Sequence, residues 1–379
     1  MIVAAALFAA WQIVHLAVVL RWTDRHTRGL AYYGRPSDER RRFRQLVARH
    51  ALVLAPILAV LGRAARRQFT QRAIRHGGVA GPAGACTSES FRRAAEHAPR
   101  PDDVFVVTQM RSGTTWMQHL VYQVLTRGEG DLVSEGLALN AVSPFLEADC
   151  TVSVGAAPLV GCERPMRIIK THLPVSLCPF DRRARYIYVS RHPVACLASC
   201  ADFVRGNLQG FAPDWPELAR WFLSEDLMWW STWVTHVGHW QRRAEREANV
   251  LLVRYEDLAA DLAAATQQVA QLLEMEPLTA LETAAIVRKC RLDMMQSQAE
   301  TFEMYPPHLL QAANPFFAHG GADRVRSVPP GIARSVLDWC RREGAARQFA
   351  LERLYPDLAY DRAAGDRREA PQVPQLVAG

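Results

Sequence analysis

Two kinds of hydrophobic pattern divide the chain. The first 20 residues form an apolar run without a single Asp, Glu, Lys or Arg. From about residue 95 onward, short runs of β-branched residues alternate with segments whose apolar positions recur every three or four residues, the period of an amphipathic helix. This alternation predicts an α/β fold with a parallel sheet. The predicted strands on which the functional interpretation depends are 104–108, 166–169, 185–190 and 250–253.

The N-terminal apolar run, Met1–Leu20, has the length that an α-helix needs to cross the hydrocarbon core of a bilayer. Arg21, Arg25 and Arg28 follow it. The positive-inside tendency therefore predicts an external N-terminus and a body that faces the cytoplasm. The alternative is an apolar helix buried against the body of the protein.

A second apolar run, 51–62, contains Pro56 and is too short to span a bilayer alone. Arginines flank it on both sides, which is typical of an interfacial or re-entrant element. The Gly-rich stretch 77–86 indicates a linker. These boundaries predict a helical, membrane-associated segment over 1–94, a folded domain over 95–350 and a tail over 351–379.

The charge distribution argues against a nucleic-acid-binding protein. The net charge is +7, but residues 1–100 contain 17 arginines and five acidic residues, so the rest of the chain is slightly acidic. A nucleic-acid-binding domain carries its positive charge on the folded body, whereas a basic segment beside apolar stretches is typical of a membrane surface element. The eight cysteines form no Cys-x-x-Cys pair, so no metal site is predicted.

The first strand, Val104–Thr108, is followed by a polar loop and then by a helical pattern from Trp116 onward. The loop combines an arginine, a glycine and hydroxyl side chains, in the order Arg111, Ser112, Gly113, Thr114 and Thr115. With the backbone N–H groups of a helix N-terminus, they predict a cradle for phosphate. The loop lacks the lysine and the spacing of the Walker motif, which disfavours an ordinary ATPase. The alternative is a plain strand-to-helix turn with a Ser or Thr cap.

Polar residues also follow the other three strands, and ligands bind at the carboxyl ends of parallel strands. Lys170 and His172 point to the same side if the chain is extended there. Histidine can take a proton near neutral pH, and lysine can stabilise negative charge. Arg191 and Ser199 form a pair suited to a phosphate monoester, and Tyr255 follows the last strand. Taken singly, His172 is also compatible with an ordinary hydrogen-bonded histidine in a surface loop, and Ser199 with an ordinary serine on a helix surface.

Together, these stretches resemble motifs of the cytosolic-type sulfotransferase family. Thr108–Trp116 is similar to the family's T-Y-P-K-S-G-T-T-W loop, and Lys170–Pro174 matches its K-T-H-L-P. Val189–Pro193 with Ser199 matches its 3′-phosphate motif, and Tyr255–Asp257 matches its Y-E-D. The family's W-x-x-H-V-x-x-W pattern is present at Trp233, His236, Val237 and Trp240.

The resemblance implies a P-loop-like three-layer α/β sandwich with a central parallel sheet. It implies transfer of a sulfonate group from 3′-phosphoadenosine 5′-phosphosulfate (PAPS) to an acceptor hydroxyl or amine, in line and without a metal. His172 is implied as the base, with Lys170 and Arg111 as the groups that offset charge on the sulfonate and the leaving oxygen. The implied PAPS-binding residues are Arg111, Ser112, Gly113, Thr114, Thr115, Trp116, Arg191, Ser199 and Tyr255.

The chain departs from the family pattern at three places. Arg111 replaces the family's loop lysine, which keeps the positive charge but cannot donate a proton. The family's C-terminal R-K-G-x-x-G-D-W aligns with 318–325, where the Arg-Lys pair is missing, so Gly320 and either Arg324 or Arg326 are the candidates for nucleotide contacts there. On the adenine side, the family's T-x-F-x-x-M is matched only weakly, around Leu292.

Two other functions fit parts of the pattern. A protein that binds PAPS or a related nucleotide but has lost catalysis would be consistent with Arg111 and the altered C-terminal motif, although the intact Lys170 and His172 argue against it. A P-loop nucleotide kinase would need a Walker lysine and an acidic Mg²⁺ ligand, and the sequence has neither in place.

The identity of the acceptor is not fixed by these motifs, because variable loops form the acceptor pocket of this fold. The apolar N-terminus favours a lipid-like hydroxyl acceptor over a sugar, and other small molecules such as phenols stay open. Aromatic residues near these loops either line the pocket or pack in the core: Phe203, Phe211, Trp215, Trp221, Phe222, Trp229 and Trp230. Oligomeric state is not readable from the sequence.

Overall fold

The computed structural model describes residues 2–27, 30–62, 74–82, 85–149, 151–208, 211–309 and 322–359. The N-terminal segment is helical, with α1 at Ile2–Thr27, α2 at Leu30–Tyr33, α3 at Ser37–Val53 and α4 at Ala55–Gly62. Helices α1 and α3 run antiparallel, because the Gln12 amide donates to the Val53 carbonyl and the His15 and His50 rings lie 3.1 Å apart, nitrogen to nitrogen. Helix α4 bends 86° away from α3, next to Pro56, whose ring cannot continue a helix without a break.

A short hairpin of β1 (Ile74–His76) and β2 (Val79–Gly81) leads to α5 (Ser88–Ala95). The linker predicted over 77–86 is wrong in its middle part. Strand β2 is buried, and the Ala80 carbonyl accepts a hydrogen bond from the Trp230 backbone N–H. This contact with a distant part of the chain is invisible in a local Gly-rich pattern. The division at residue 94 stays a prediction.

The central sheet contains four parallel strands in the order β4-β3-β5-β6. They are β3 at Asp103–Thr108, β4 at Arg167–Thr171, β5 at Arg185–Ser190 and β6 at Val250–Arg254. Each coincides with a predicted strand to within two residues. Their β-branched and aromatic side chains suit a sheet that is covered on both faces.

Helices follow three of the four strands, and the connection from β4 to β5, 172–184, contains no helix. After β3 come α6 (Thr114–Leu125) and α7 (Leu139–Val142), and after β5 come α8 (Pro193–Leu208), α9 (Trp215–Leu223) and α10 (Trp233–Ala244). After β6 come α11 (Tyr255–Ala260), α12 (Leu262–Leu272), α13 (Ala280–Cys290), α14 (Leu292–Ser297) and α15 (Pro330–Ala346).

The sheet separates two hydrophobic cores, because successive strand residues point to opposite faces. Phe105 and Val107 pack in one core with α8, α9, α10 and α15, whereas Val104 and Val106 pack in the other with α6, α12 and α13. The predicted three-layer α/β class with a parallel sheet and an N-terminal helical extension is confirmed. All four strands end at the same edge, and the loops there form the site described next.

Candidate active site

The loop between β3 and α6 forms an anion cradle. Gly113 precedes the first residue of α6 and has φ +100°, a conformation that favours glycine. A Cβ atom there would lie 2.8 Å from the Tyr255 ring, so the glycine is also needed for close packing. The backbone N–H groups of the first helical turn have no partners within the helix, and the turn contains no acidic residue. This helix end therefore attracts an anion.

Two arginines lie beside the cradle. The Arg111 Nε donates to the Ser199 hydroxyl over 3.3 Å, and the Arg191 guanidinium donates to the Arg111 carbonyl over 3.1 Å. The Arg191 guanidinium carbon also lies 4.2 Å from the centre of the Tyr255 ring. Arg191 is buried, and its Nε has no hydrogen-bond partner among the described residues. A buried guanidinium N–H that lines a pocket and lacks an acceptor is well suited to an anionic ligand.

His172 lies next to the cradle, at the end of β4. Its Nδ1 lies 2.9 Å from the Thr108 carbonyl oxygen, which can only accept, so Nδ1 carries the proton. In the neutral ring Nε2 is then an acceptor. Burial lowers the pKa of His172 well below its usual value, and the positive charge of Lys170 lowers it further. The ring is therefore neutral at physiological pH and able to take a proton.

The backbone of His172 is fixed on both sides by buried side chains. The Glu147 carboxylate accepts from the His172 backbone N–H over 2.7 Å and from the Thr171 hydroxyl over 2.8 Å. On the other side, the His172 carbonyl accepts from Nε2 of His236 over 2.9 Å. Burial raises the pKa of Glu147 to about 7. Sequence reasoning missed Glu147, because a lone glutamate in an irregular stretch gives no signal.

The pocket at this edge brings together most of the residues predicted to bind or react. It is lined by Arg111, Gly113, Thr114, Thr115, Trp116, His172, Arg191, Ser199, Tyr255 and Leu292. The Trp116 indole donates to the Cys290 carbonyl over 2.8 Å, which fixes its ring near Tyr255.

Four predicted site residues are not placed in the pocket lining. Ser112 is buried with its hydroxyl 3.9 Å from the Cys196 sulfur. The Lys170 ammonium lies over the Phe145 ring, 4.1 Å from its centre, and Lys170 is not among the residues that line the pocket. Gly320 lies outside the described residues, and Arg324 belongs to a short 3-10 helix, Ala322–Ser327, in which its side chain is not described.

Apolar residues form the other half of the pocket: Phe203, Trp229, Trp230, Met295, Met304 and Tyr305. Trp230 has φ +59°, and its ring centre lies 4.7 Å from that of His172. The Gln109 amide donates to the carbonyls of Trp229 and Ser231, which stabilises this unusual turn. Of the predicted aromatic residues, Trp221 and Phe222 pack in the core instead. Across the described parts of the chain, no group of three or more His, Cys, Asp or Glu side chains is arranged to hold a metal ion.

Comparison with known proteins decides the family. Residues 101–342 match the family model described as the sulfotransferase domain. This chain belongs to the sulfotransferase family. The resemblance noted in the motifs is thus confirmed over most of the body of the chain.

Characterised relatives of this sulfotransferase agree with that assignment. It is 27% identical to sulfotransferase 2B1 of Rattus norvegicus over 307 residues, 77% of this chain and 83% of the relative. It is 29% identical to sulfotransferase 2A1 of Homo sapiens over 201 residues, 52% of this chain and 68% of the relative.

Solved structures show the same fold. A mouse sulfotransferase, SULT7A1, complexed with PAP superposes with a TM-score of 0.53 at 19% identity, covering 75% of this chain and all of that one. Retinol dehydratase in complex with retinol and PAP superposes with a TM-score of 0.54 at 19% identity, covering 70% of this chain and 89% of that one.

Proposed function

We propose that this sulfotransferase transfers a sulfonate group from PAPS to an acceptor hydroxyl or amine, with His172 as the base. The observation that carries the proposal is the position of the His172 ring. The Nδ1–H of this ring donates to the Thr108 carbonyl, its pKa is lowered and its Nε2 is an acceptor. His172 lines the same pocket as the N-terminus of α6 and Arg191.

The residues present fit PAPS. The α6 N-terminus suits the 5′-phosphosulfate, since Thr114 and Thr115 line the pocket there and the backbone N–H groups of the first turn have no partners within the helix. The unpartnered Nε of Arg191 and the hydroxyl of Ser199 suit the 3′-phosphate. Trp116 and Tyr255 offer ring faces for the adenine. Solved neighbours of the same fold contain PAP, the part of PAPS that remains after the sulfonate leaves.

Each polar residue then has a chemical task. PAPS supplies an activated sulfonate on a good leaving group. His172 Nε2 accepts the proton of the acceptor hydroxyl as its oxygen bonds to sulfur, while the bond from sulfur to the bridging oxygen breaks and PAP leaves. Arg111 is always charged, so it offsets negative charge on the bridging oxygen without acting as an acid. Lys170 adds positive charge close to His172, where it would offset negative charge on the sulfonate.

The acceptor enters from the apolar half of the pocket, and the N-terminal helices are in contact with that half. The Tyr32 hydroxyl donates to the buried Glu303 carboxylate, and the Tyr33 hydroxyl donates to the Met304 carbonyl over 3.1 Å. Met304 and Tyr305 line the pocket. Helix α2 therefore contacts the pocket wall directly, which connects the acceptor side to the N-terminal segment that contains the apolar helix α1.

A membrane-associated protein with its catalytic domain in the cytoplasm is part of this proposal. Helix α1 is long and apolar enough to span a bilayer, and only Gln12 and Val19 of it are buried in the structure. A lipid-like alcohol is the acceptor class that best fits an apolar pocket beside such a helix. Retinol and androsterone occupy retinol dehydratase, a structural neighbour, and both are apolar alcohols.

The decisive experiment uses the full chain in detergent with sulfur-labelled PAPS. Sterols, long-chain alcohols, phenols and sugars are tested as acceptors, and His172→Gln is compared with the wild-type chain. His239→Gln is the matched control, since His239 contacts the Phe349 ring and does not line the pocket. We expect labelled product from the wild type and the control, and a loss of about 10²- to 10⁴-fold for His172→Gln.

Each other outcome has a defined meaning. Equal turnover by His172→Gln would remove His172 as the base. PAP binding by calorimetry without turnover of any acceptor would favour the nucleotide-binding protein that has lost catalysis. Phosphate transfer from ATP would favour the nucleotide kinase.

A further inference from the structure

Helix α10 carries three buried side-chain donors on one face. Trp233, His236 and Trp240 are spaced by three and four residues, so they lie along one side of the helix. All three side chains have no exposure to solvent. The sequence pattern singled out these residues, and the proposed reaction assigns them no role.

Each donor forms a hydrogen bond to the backbone carbonyl of a residue just after the end of a strand. The Trp233 indole donates to the Arg191 carbonyl over 2.9 Å, and the Trp240 indole donates to the Leu173 carbonyl over 3.3 Å. His236 Nε2 donates to the His172 carbonyl over 2.9 Å.

The orientation of His236 is fixed as well. Because the His172 carbonyl can only accept, Nε2 of His236 carries the proton and Nδ1 accepts from the Tyr188 hydroxyl, 2.9 Å away. Burial lowers the pKa of His236 to about 4, so the ring stays neutral and keeps one donor and one acceptor. Tyr188 belongs to β5 and thus supports the helix from the sheet itself.

These contacts join two strands that are not neighbours. The order β4-β3-β5-β6 places β3, with its phosphate loop, between the strand that ends near His172 and the strand that ends near Arg191. Helix α10 crosses from one to the other, and three residues of helix rise about 4.5 Å along the axis. The spacing between the His172 and Arg191 carbonyls is therefore set by one rigid element.

We propose that α10 positions the two halves of the reaction separately: His236 positions the base through the His172 carbonyl, and Trp233 positions Arg191 through its carbonyl. This rests on the proposed function, in which His172 takes a proton and Arg191 binds nucleotide phosphate. His236 and Trp233 are positioning residues, because neither lines the pocket. Loss of the two donors has different kinetic consequences.

The test compares His236→Leu, which removes the donor, with His236→Gln, whose amide N–H can reach the same carbonyl. For His236→Leu we expect kcat to fall about 10- to 100-fold, since a shift of 1 Å at a reacting group costs about 10²-fold. The Kd for PAP stays unchanged, and His236→Gln recovers most of kcat. Tyr188→Phe removes the hydrogen bond to Nδ1 together with the contact between the Tyr188 hydroxyl and the Gln109 backbone, and we expect it to lower kcat by a smaller factor in the same direction.

The second arm uses Trp233→Phe, which keeps a ring and removes the indole N–H. We expect the Kd for PAP to rise about tenfold by calorimetry, because Arg191 loses its fixed position, whereas kcat at saturating PAPS stays near wild type. His239→Leu is the control on the same helix and changes neither value. Thermal melting of each variant identifies any loss of folding.

Equal losses of kcat and PAP affinity in both variants would overturn the proposal, since they would indicate general loosening of the fold. So would a failure of His236→Gln to recover more activity than His236→Leu. If the wild-type chain binds PAP without turning over any acceptor, the proposed function fails. The comparison of PAP affinities between Trp233→Phe and His236→Leu still decides whether α10 positions Arg191, because it requires binding alone.

Discussion

The two halves of the pocket, a polar half that we propose binds the nucleotide and an apolar half that we propose binds the acceptor, are built in different ways. The nucleotide half combines strand ends, a helix N-terminus and two arginines, with backbone conformations fixed by hydrogen bonds such as Arg191 to the Arg111 carbonyl. The acceptor half is formed by Phe203, Met304 and neighbouring apolar side chains from separate segments. Charge and backbone geometry define the first half, and side-chain packing defines the second.

This difference explains why the sequence motifs identify the polar half of the pocket and not the apolar half. A phosphate group needs donors at fixed positions, so the residue types and their spacing are constrained. An apolar acceptor needs shape, and many combinations of side chains provide the same shape. Substitutions in the two halves should therefore change different measured quantities.

Removal of Arg191 should have the largest effect on the nucleotide half. For Arg191→Ala we expect the Kd for PAP to rise about 10- to 150-fold, because a hydrogen bond to a charged group contributes about 1.5–3 kcal/mol. Arg191→Lys keeps the charge and should recover only part of the affinity, since an ammonium lacks the planar fork. Calorimetry with PAP measures both. Full affinity in Arg191→Ala would show that the 3′-phosphate binds elsewhere.

The fold and the nucleotide half were predictable because their signals are local. Strand β3 and its loop combine a buried β-branched run with Gly113 and hydroxyls in immediate succession. Glu147 was not predictable, because glutamate is usually exposed and nothing near it indicates that it meets the His172 backbone. The position of Lys170 was not predictable either, since the Phe145 ring reaches it from a separate segment.

Substitution of Gly113 should weaken the nucleotide half by a conformational route. Gly113→Ala places a non-glycine residue at φ +100° and a Cβ atom 2.8 Å from the Tyr255 ring. The left-handed conformation alone costs about 1–2 kcal/mol, so we expect a lower Tm and PAP affinity weaker by about tenfold. The double variant Gly113→Ala/Tyr255→Leu relieves the contact and should recover part of the Tm. An unchanged Tm for Gly113→Ala would show that the loop relaxes without cost.

A substitution in the acceptor half should leave the nucleotide untouched. For Phe203→Leu we expect kcat/KM for the acceptor to change about tenfold, the effect of altering a hydrophobic pocket by a few carbon atoms, with the Kd for PAP unchanged. Phe222→Leu is the matched control, because Phe222 is buried in the core and should lower Tm without a selective effect on the acceptor. A parallel loss of PAP affinity in Phe203→Leu would show that the halves are coupled, through the Arg111 guanidinium over the Phe203 ring.

Glu147 should give the smallest effect on turnover, seen mainly as a pH dependence. Its pKa of about 7 lies above that of an ordinary glutamate, so the folded protein holds the proton more tightly than the unfolded chain does. This carboxyl favours folding most at low pH. Its contribution is lost as the pH rises from about 4.5, the pKa of the carboxyl in the unfolded chain, through about 7, its pKa in the folded protein. Glu147→Gln removes that titration, so between pH 5 and 7 the Tm of the wild type should fall with pH relative to that of the variant.

In the wild type, kcat should also decline modestly below pH 7, as Glu147 becomes protonated and its hydrogen bonds to the His172 N–H and Thr171 weaken. In Glu147→Gln, kcat should stay level until well below pH 6.5, where His172 itself gains a proton. Identical pH–rate profiles for the two proteins would show that the ionisation of Glu147 does not affect proton transfer to His172.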